Sequence, residues 1–384
     1  MKLLFITGSL VHGGAERHSI TLANRLAERG HACHFAYVRN DPSQLERLRG
    51  AAGIECLHAR RYFDRGAISR LGSLIGKTRP DVVVAANPYA MLYGTLALRS
   101  SGVRAPLAVT YHTTVLPDAK SWLQMLYYRP FFWNAERLVF VCETQQRHWL
   151  RRGVAARSSL VIYNGVDCEH WRPGTREERA LIRGALGLEP RDFVVGMCAV
   201  FRPEKNHLHL VEAIAMLRRR GIPARALLIG DGAMRPAIEA RARSLGVAAD
   251  VLITGFQQDV RPFVGACDTV ALCSGSVETF SLAALEAMAL EKPVVHSAVG
   301  GAAEMLRPWH DGFVFPVGDS RALVDALATL ADAPLRARMG ANARETVESR
   351  FSESAMVDRY EQTLQELAHH RSQHENLRRN AAAH

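Results

Sequence analysis

The chain lacks a long hydrophobic run. Its apolar stretches fall far short of the roughly 20 residues that a membrane-crossing helix needs, which excludes an integral membrane protein. The N-terminal MKLLFITGSLVHGG has one Lys and too short an apolar region for a secretory signal. There is no Cys-x-x-Cys pair: Cys33, Cys56, Cys142, Cys168, Cys198, Cys267 and Cys273 are scattered. That spacing argues against a disulfide framework or structural zinc and fits reduced thiols in a cytoplasmic protein. The pairs His31/His34 and His207/His209 have no carboxylate or Cys beside them in a ligand pattern, so no metal is expected. No Walker Lys is present, and no Gly-x-Gly-x-x-Gly with an acidic residue about twenty positions on. Nor is there a block of five like charges or a close internal repeat.

What is present is globular. With 384 residues and 48% hydrophobic content, the chain can build two domains with separate cores. The net charge is +10, and residues 1–165 hold all of the excess, with 22 Lys and Arg against 10 Asp and Glu. A field of that sign attracts anions: nucleic acid, acidic lipid head groups or phosphorylated substrates.

The pattern along the chain is α/β. KLLFIT is a continuous apolar run, as in a strand buried on both faces of a parallel sheet. A Gly-bearing loop follows it, then AERHSITLANRLAERG with Ile20, Ala23 and Ala27 at helical spacing, then the strand HACHFAYV. DVVVAAN, LAVTYH and RLVFVC continue the series as further strands. A second series contains FVVGMCAV, ARALLIGDG, VLITGF, TVALCSG, PVVHSAV and GFVFPVGD. The expected domains are 1–168, a linker with a helix over 169–191, and 192–350. Residues 351–384 are expected to form a C-terminal helix that packs back on the first domain, with a polar tail. The predicted architecture is two Rossmann-like doubly wound sheets facing across a cleft, with ligands at the C-terminal ends of the strands.

The chemistry-bearing residues stand just after strands. Gly13 and Gly14 open the first helix and allow close approach of a ligand to its N–H groups. In FRPEKNH, Arg202 and Lys205 pair a planar donor with a compact cation, a combination suited to a diphosphate. In SVETFSLAALEAMALEKPVV a helix is expected to start near Phe280, leaving the N–H groups of Phe280, Ser281 and Leu282 for an anion. Glu278 precedes that end and Glu286 lies about 9 Å along the axis, inside an apolar helix. Two acidic acceptors thus flank an anion site, which matches the layout of a nucleotide sugar.

The ordered set GGAER, VIYNGVD, RPEKN, LLIGDG, TGFQQDV, VETFSLAALEAMALEKPVV and VGGAAE resembles the retaining GT-B glycosyltransferases of family 4, over nearly the whole chain. The resemblance implies a nucleotide-sugar donor held mainly by the C-terminal domain and an acceptor bound mainly by the N-terminal one. It implies that Glu278 bonds the donor sugar, that Glu286 bonds the ribose, and that Arg202 and Lys205 neutralise the diphosphate in place of a metal. Gly13 and Gly14 would close over the phosphates, and Gly230 and Asp231 of LLIGDG would line the donor site. Phe256 and Val260 of TGFQQDV would border the base. His112 in VTYHTT would lie near the transferred sugar. Two positions depart from the family. Val200 stands five residues before Lys205, where the family often has Arg, and Arg202 stands three before it. Ser281 replaces the usual Gly after Phe.

The acceptor implied is a glycan or lipid-linked glycan, and no nucleic acid is expected. SWLQMLYYRPFFWNAERLVFV sets aromatics among Lys120, Arg129 and Arg137, a composition suited to an anionic membrane face or to simple packing under the next strand. Another sugar-nucleotide activity of the same fold (2-epimerase or phosphorylase), or a non-catalytic binding subunit, would share much of this pattern. Competent residues at the donor positions favour transfer.

Overall fold

The computed structural model describes residues 1–11, 13–114, 116 and 119–381. The chain divides into two compact units, Met1–Tyr163 with Met356–His384, and Asn164–Ala355.

The first unit runs β1 (Lys2–Thr7), α1 (Gly14–Glu28), β2 (Ala32–Tyr37), β3 (Gly53–Cys56), α2 (Arg65–Thr78), β4 (Val82–Ala86) and α3 (Asn87–Ser101). It continues through β5 (Leu107–Tyr111), α4 (Ala119–Phe132), β6 (Arg137–Phe140), α5 (Glu143–Leu150) and β7 (Ser158–Val161). Its seven strands are parallel in the order β3-β2-β1-β4-β5-β6-β7. The alternation of side chains along β1 serves two cores. Leu4 and Ile6 join Val83, Ala85 and Val109 beneath α2 and α3. Leu3 and Phe5 join Val82, Val84 and Ala108 on the other face. Burial on both faces is why the central strands read as unbroken apolar runs. The two edge strands, β3 and β7, were not legible in the sequence, because they are short and carry polar residues where only one neighbour covers them.

The second unit runs α6 (Arg176–Ala185), β8 (Phe193–Cys198), α7 (His207–Arg219), β9 (Ala224–Ile229), α8 (Arg235–Ser244), β10 (Val251–Ile253) and α9 (Arg261–Ala266). β11 (Thr269–Leu272), α10 (Leu282–Ala289), β12 (Val294–Ser297), α11 (Ala302–Met305), β13 (Gly312–Phe315), α12 (Ser320–Thr329) and α13 (Ala333–Arg350) follow. The parallel order is β10-β9-β8-β11-β12-β13. Helix α6 begins with a capping box formed by Thr175 and Glu178. It is fastened through buried Arg183, whose guanidinium donates to Ala266 O at 3.1 Å and to Asp268 at 3.2 Å.

The last helix, α14 (Glu353–Ala381), places Met356, Val357, Tyr360, Leu364 and Leu367 in the α1-side core of the first unit. That i, i+1, i+4, i+8, i+11 spacing is one face of a helix. Glu361 reinforces it, reached by Arg29 at 2.6 Å and by the His31 ring at 2.7 Å. These two partners hold the Glu361 carboxyl below its ordinary range, His31 contributing most.

Candidate functional site

In each sheet the strand order reverses once, between β1 and β4 in the first unit and between β8 and β11 in the second. At such a switch point the loops leaving the two strands diverge and open a crevice at their C-terminal ends. In the second unit the two loops are those that carry Arg202 with Lys205, after β8, and Glu278, after β11.

The loop after β8 is a short 3-10 turn, Pro203–Lys205, entered from Arg202 in extended conformation and left through Asn206 in the left-handed region, at φ 53°. It is tied across the switch point by the N–H of Gly275, which donates to Glu204 O at 2.9 Å. Lys205 Nζ then lies 2.7 Å from Glu278 Oε2, and both side chains are largely buried. The Arg202 side chain is exposed and has no ion pair within 4.0 Å among the described residues. Lys205 and Glu278, 73 residues apart, are thus brought to one place, whereas Arg202 of the same loop lines a pocket with His207, Leu208, Met234 and Ile238.

The segment carrying Glu278 is held from two further sides. Gly300 takes a positive φ of 59°, and a Cβ there would lie 2.4 Å from the carbonyl oxygens of both Glu278 and Thr279. The N–H of Gly301 donates to Thr279 O at 2.7 Å. Buried Asn164 donates from Nδ2 to Phe280 O at 2.9 Å. His296, on β12, is held below its ordinary pKa by burial, with the nearby Glu278 carboxylate opposing.

Helix α10 starts at Leu282, two residues later than the sequence reading, because Ser281 is its N-cap. The Ser281 hydroxyl accepts from Ala284 N at 3.3 Å, so one first-turn N–H is already taken. With φ −71°, position 281 has no need of glycine. Phe280 is buried with its ring against Phe351 at 5.3 Å, so it offers the site its main chain and not its side chain. Glu286 is 5% exposed and sits midway along α10, about one and a half turns below the cap.

A third loop pair adjoins. Gly230, at φ 140°, donates its N–H to Gly255 O at 3.1 Å, which fastens the loop after β9 to the one bearing Phe256 and Val260. Asp231 accepts from Gly232 N at 2.8 Å and from Arg235 at 2.8 Å, and the first of these chiefly lowers its pKa. Gly232, which the residue reading passed over, approaches Phe201 so closely that a Cβ would lie 2.7 Å from its carbonyl oxygen. Phe256 is 72% exposed and Val260 is the N-cap of α9.

The remaining candidates belong to the first unit. Gly13 is the extended N-cap of α1 and Gly14 its first residue. His112 follows β5 and donates its main-chain N–H to Asn87 Oδ1 at 3.0 Å. Its ring lies 4.7 Å from that of buried His18 on α1, and His18 in turn meets Tyr360 of α14 at 5.3 Å. Burial lowers the His112 pKa to about 4, so the imidazole is neutral near pH 7. His18 and Asn87 are contacts that carry no motif or spacing signal in the sequence.

Two family models match. Residues 178–346 fit glycosyl transferases group 1, and residues 12–170 fit glycosyltransferase family 4. The chain is 30% identical over 357 residues to the lipopolysaccharide core biosynthesis glycosyltransferase LpsE of Rhizobium meliloti, covering 92% of this chain and 96% of that protein. It is 29% identical over 244 residues to the putative glycosyltransferase EpsD of Bacillus subtilis, spanning 63% of EpsD. The fold matches the crystal structure of Anabaena HepE in complex with UDP, with a TM-score of 0.86 at 24% identity, over 95% of this chain and 100% of that one. Likeness to LpsE along almost the whole of both chains, with both family models in sequence order, makes this chain a GT-B glycosyltransferase of family 4 (glycosyl transferases group 1).

Proposed function

We propose that the enzyme moves a sugar from a nucleoside-diphosphate sugar, with retention at the anomeric carbon and without a metal ion, to a glycan or lipid-linked acceptor at the cytoplasmic face of a membrane. The observation that carries the donor reading is the Lys205–Glu278 ion pair beside Arg202 at the switch point of the second sheet. The slow step in glycosyl transfer is departure of the leaving group from an oxocarbenium-like centre. Fixed cations beside the diphosphate stabilise the charge that grows there, as a metal would. A diphosphate that reaches Lys205 competes with Glu278 for the ammonium. The carboxylate is then freed to accept from hydroxyls of the donor sugar, so the pair acts as a latch that the donor opens.

The other roles follow the family resemblance. Glu286 accepts from the ribose, Gly230 and Asp231 border the donor, and Phe256 with Val260 flanks the base. Phe280, Ser281 and Leu282 contribute main-chain contacts. In the first unit, Gly13 and Gly14 close over the phosphates and His112, neutral in its buried site, lies by the transferred sugar. HepE has been crystallised with UDP and with UDP-glucose, ligands of the class proposed here.

Support for a lipid-linked acceptor comes from α4. Met125, Tyr128 and Phe132 face the core, yet Trp122, Leu123, Leu126 and Tyr127 are exposed on the outer side, as is Trp133 just after the helix. Trp and Tyr with basic neighbours suit a membrane interface. Arg152 stands 5.7 Å over the Trp122 ring, and Lys120 is exposed on the same helix. No helix among the described residues is long and apolar enough to cross a membrane, so attachment would be peripheral.

A thermal-shift panel of UDP, GDP and ADP tests the donor. A ligand that binds only the folded state raises the melting point, by an amount that grows with its concentration over Kd. The same nucleotide should be released during turnover with its sugar donor, and Glu278→Gln should slow that release severely. No shift with any nucleotide, or full turnover in the variant, would count against the assignment. Vesicles of phosphatidylglycerol at low salt test attachment: the wild type should bind and Trp122→Ser/Leu126→Ser should not.

A further inference from the structure

The first unit has its own switch point, between β1 and β4, and the loops after β2, β3 and β4 carry an aromatic cluster that no role above uses. Arg39 follows β2, Tyr62 and Phe63 lie in the connection from β3 to α2, and Tyr89 lies in the first turn of α3, directly after β4. The rings of Tyr62 and Tyr89 are 5.1 Å apart, and Tyr62 also meets Tyr128 of α4 at 6.4 Å. The Arg39 guanidinium stands 5.2 Å over the Tyr89 ring. Tyr62 is 39% exposed and Phe63 45%.

This platform is built rigidly. Buried Tyr93 donates its hydroxyl to Tyr62 O at 3.2 Å and accepts from Asp64 N at 3.1 Å. Asp64 caps α2 by accepting from Ala67 N at 3.0 Å and also accepts from Arg60 N at 3.0 Å. These N–H groups, Arg60's first, hold the Asp64 carboxyl below its ordinary range. The one carboxylate in the loop is therefore committed to its own backbone. Arg39, Arg60, Arg61 and Arg65 stand exposed around the rings. Tyr89 is seated from beneath: a Cβ on Gly8, just after β1, would lie 3.3 Å from its Cδ1.

We infer that Tyr62, Tyr89 and Arg39 form the acceptor subsite, and that it takes a pyranose bearing an anionic group. The inference rests on the glycosyltransferase reading and adds the acceptor's chemistry to it. A pyranose presents a face of C–H groups that packs on an aromatic ring, and rigid tyrosines supply such faces at little entropic cost. A guanidinium held beside them forms paired charge-assisted hydrogen bonds with a carboxylate or phosphate. A neutral sugar would gain from the rings alone. Tyr89 follows a strand of the switch point, where a doubly wound sheet binds its ligand, and Arg39 and Tyr62 reach its ring from the loops after β2 and β3.

Saturation-transfer NMR on the full chain at low salt tests this with methyl β-glucuronide, glucose 6-phosphate and methyl β-glucoside. The first two carry the anion as carboxylate and as phosphate. Both should bind about tenfold more tightly than the glucoside, the scale of one charge-assisted hydrogen bond. Arg39→Ala should abolish that preference, Arg39→Lys should keep part of it, and Tyr62→Ala should weaken all three sugars. Equal binding of the neutral sugar, binding unchanged in Arg39→Ala and Tyr62→Ala, or no saturation transfer from any sugar would overturn the assignment. So would a result in which these variants lose phosphatidylglycerol vesicles while no sugar binds, which would make the cluster a lipid contact. The nucleotide thermal shift is read separately: it should persist in Arg39→Ala, whereas its absence in the wild type would count against the proposed donor and not against this subsite.

Discussion

Replacing Gly300 with Ala should do more damage than its exposed glycine relatives suggest, and the structure says by how much. Gly300 sits at φ +59°, a region where an L-residue is disfavoured by about 1–2 kcal/mol. Gly318 in the same unit sits at φ +78° with nothing within 4 Å of a would-be Cβ, so Gly318→Ala carries that conformational cost alone. At Gly300 the new methyl would also lie 2.4 Å from two main-chain oxygens, those of Glu278 and Thr279. Backbone cannot rotate away as a side-chain end can. Relieving the overlap costs a further ~1–3 kcal/mol, the usual range for overpacking. Gly300→Ala should therefore lose ~2–5 kcal/mol in equilibrium urea unfolding against ~1–2 for Gly318→Ala. The displacement falls on Glu278, so the thermal shift by the preferred nucleotide sugar should shrink in Gly300→Ala and persist in Gly318→Ala. Equal stability of the two variants, or an unchanged ligand response in Gly300→Ala, would refute the claim that this glycine shapes the site.

The other predictions are smaller or narrower. Ser281→Ala should lose about 1 kcal/mol by urea unfolding, as an N-cap does, while Ser281→Gly should lose only a few tenths. Lys205→Ala should lower kcat about 10²–10³-fold, the scale for removing one preorganised charge-stabilising group, and should weaken the nucleotide thermal shift as well. Burial lowers the pKa of His207 to about 4, against an ordinary value near 6.5, so the unfolded chain binds its proton first as the pH falls. Stability from this residue is complete above about pH 6.5 and is lost toward pH 4 at about 1.4 kcal/mol per unit. His207→Leu should accordingly flatten the acid limb of the stability profile by roughly 2–3 kcal/mol between pH 6.5 and 4.5.

How far the sequence reaches can be judged from which kind of contact holds each part. The central strands were legible because burial on both faces leaves only apolar residues, as in KLLFIT and VVVAA, whereas β3 and β7 at the sheet edges have one covered side and no such run. Arg202, Lys205 and Glu278 were legible because side-chain chemistry placed just after a strand is visible in the order of residues. What positions them was not. Asn164 reaches Phe280 O across 116 residues, and Gly300 meets Glu278 through main chain alone. Neither contact leaves a pattern of charge or hydropathy, since one is a single amide aimed at a carbonyl and the other is the lack of a side chain. Their motifs, VIYNGVD and VGGAAE, were visible only as family features without a physical reason. The start of α10 is the intermediate case. Ser before an apolar helical run is an N-cap signal, but an anion site at the same turn pulled the expected start back to Phe280. The structure places the helix start at Leu282 with Ser281 as its cap, and Glu286 is a buried residue midway along a helix whose first turn is partly satisfied from within. In the donor site proposed above, the phosphates would then fall to the Arg202 and Lys205 side chains more than to α10. For that reason Lys205→Ala should cost more activity than Ser281→Ala, even though Ser281 stands at the helix end where the sequence placed the anion.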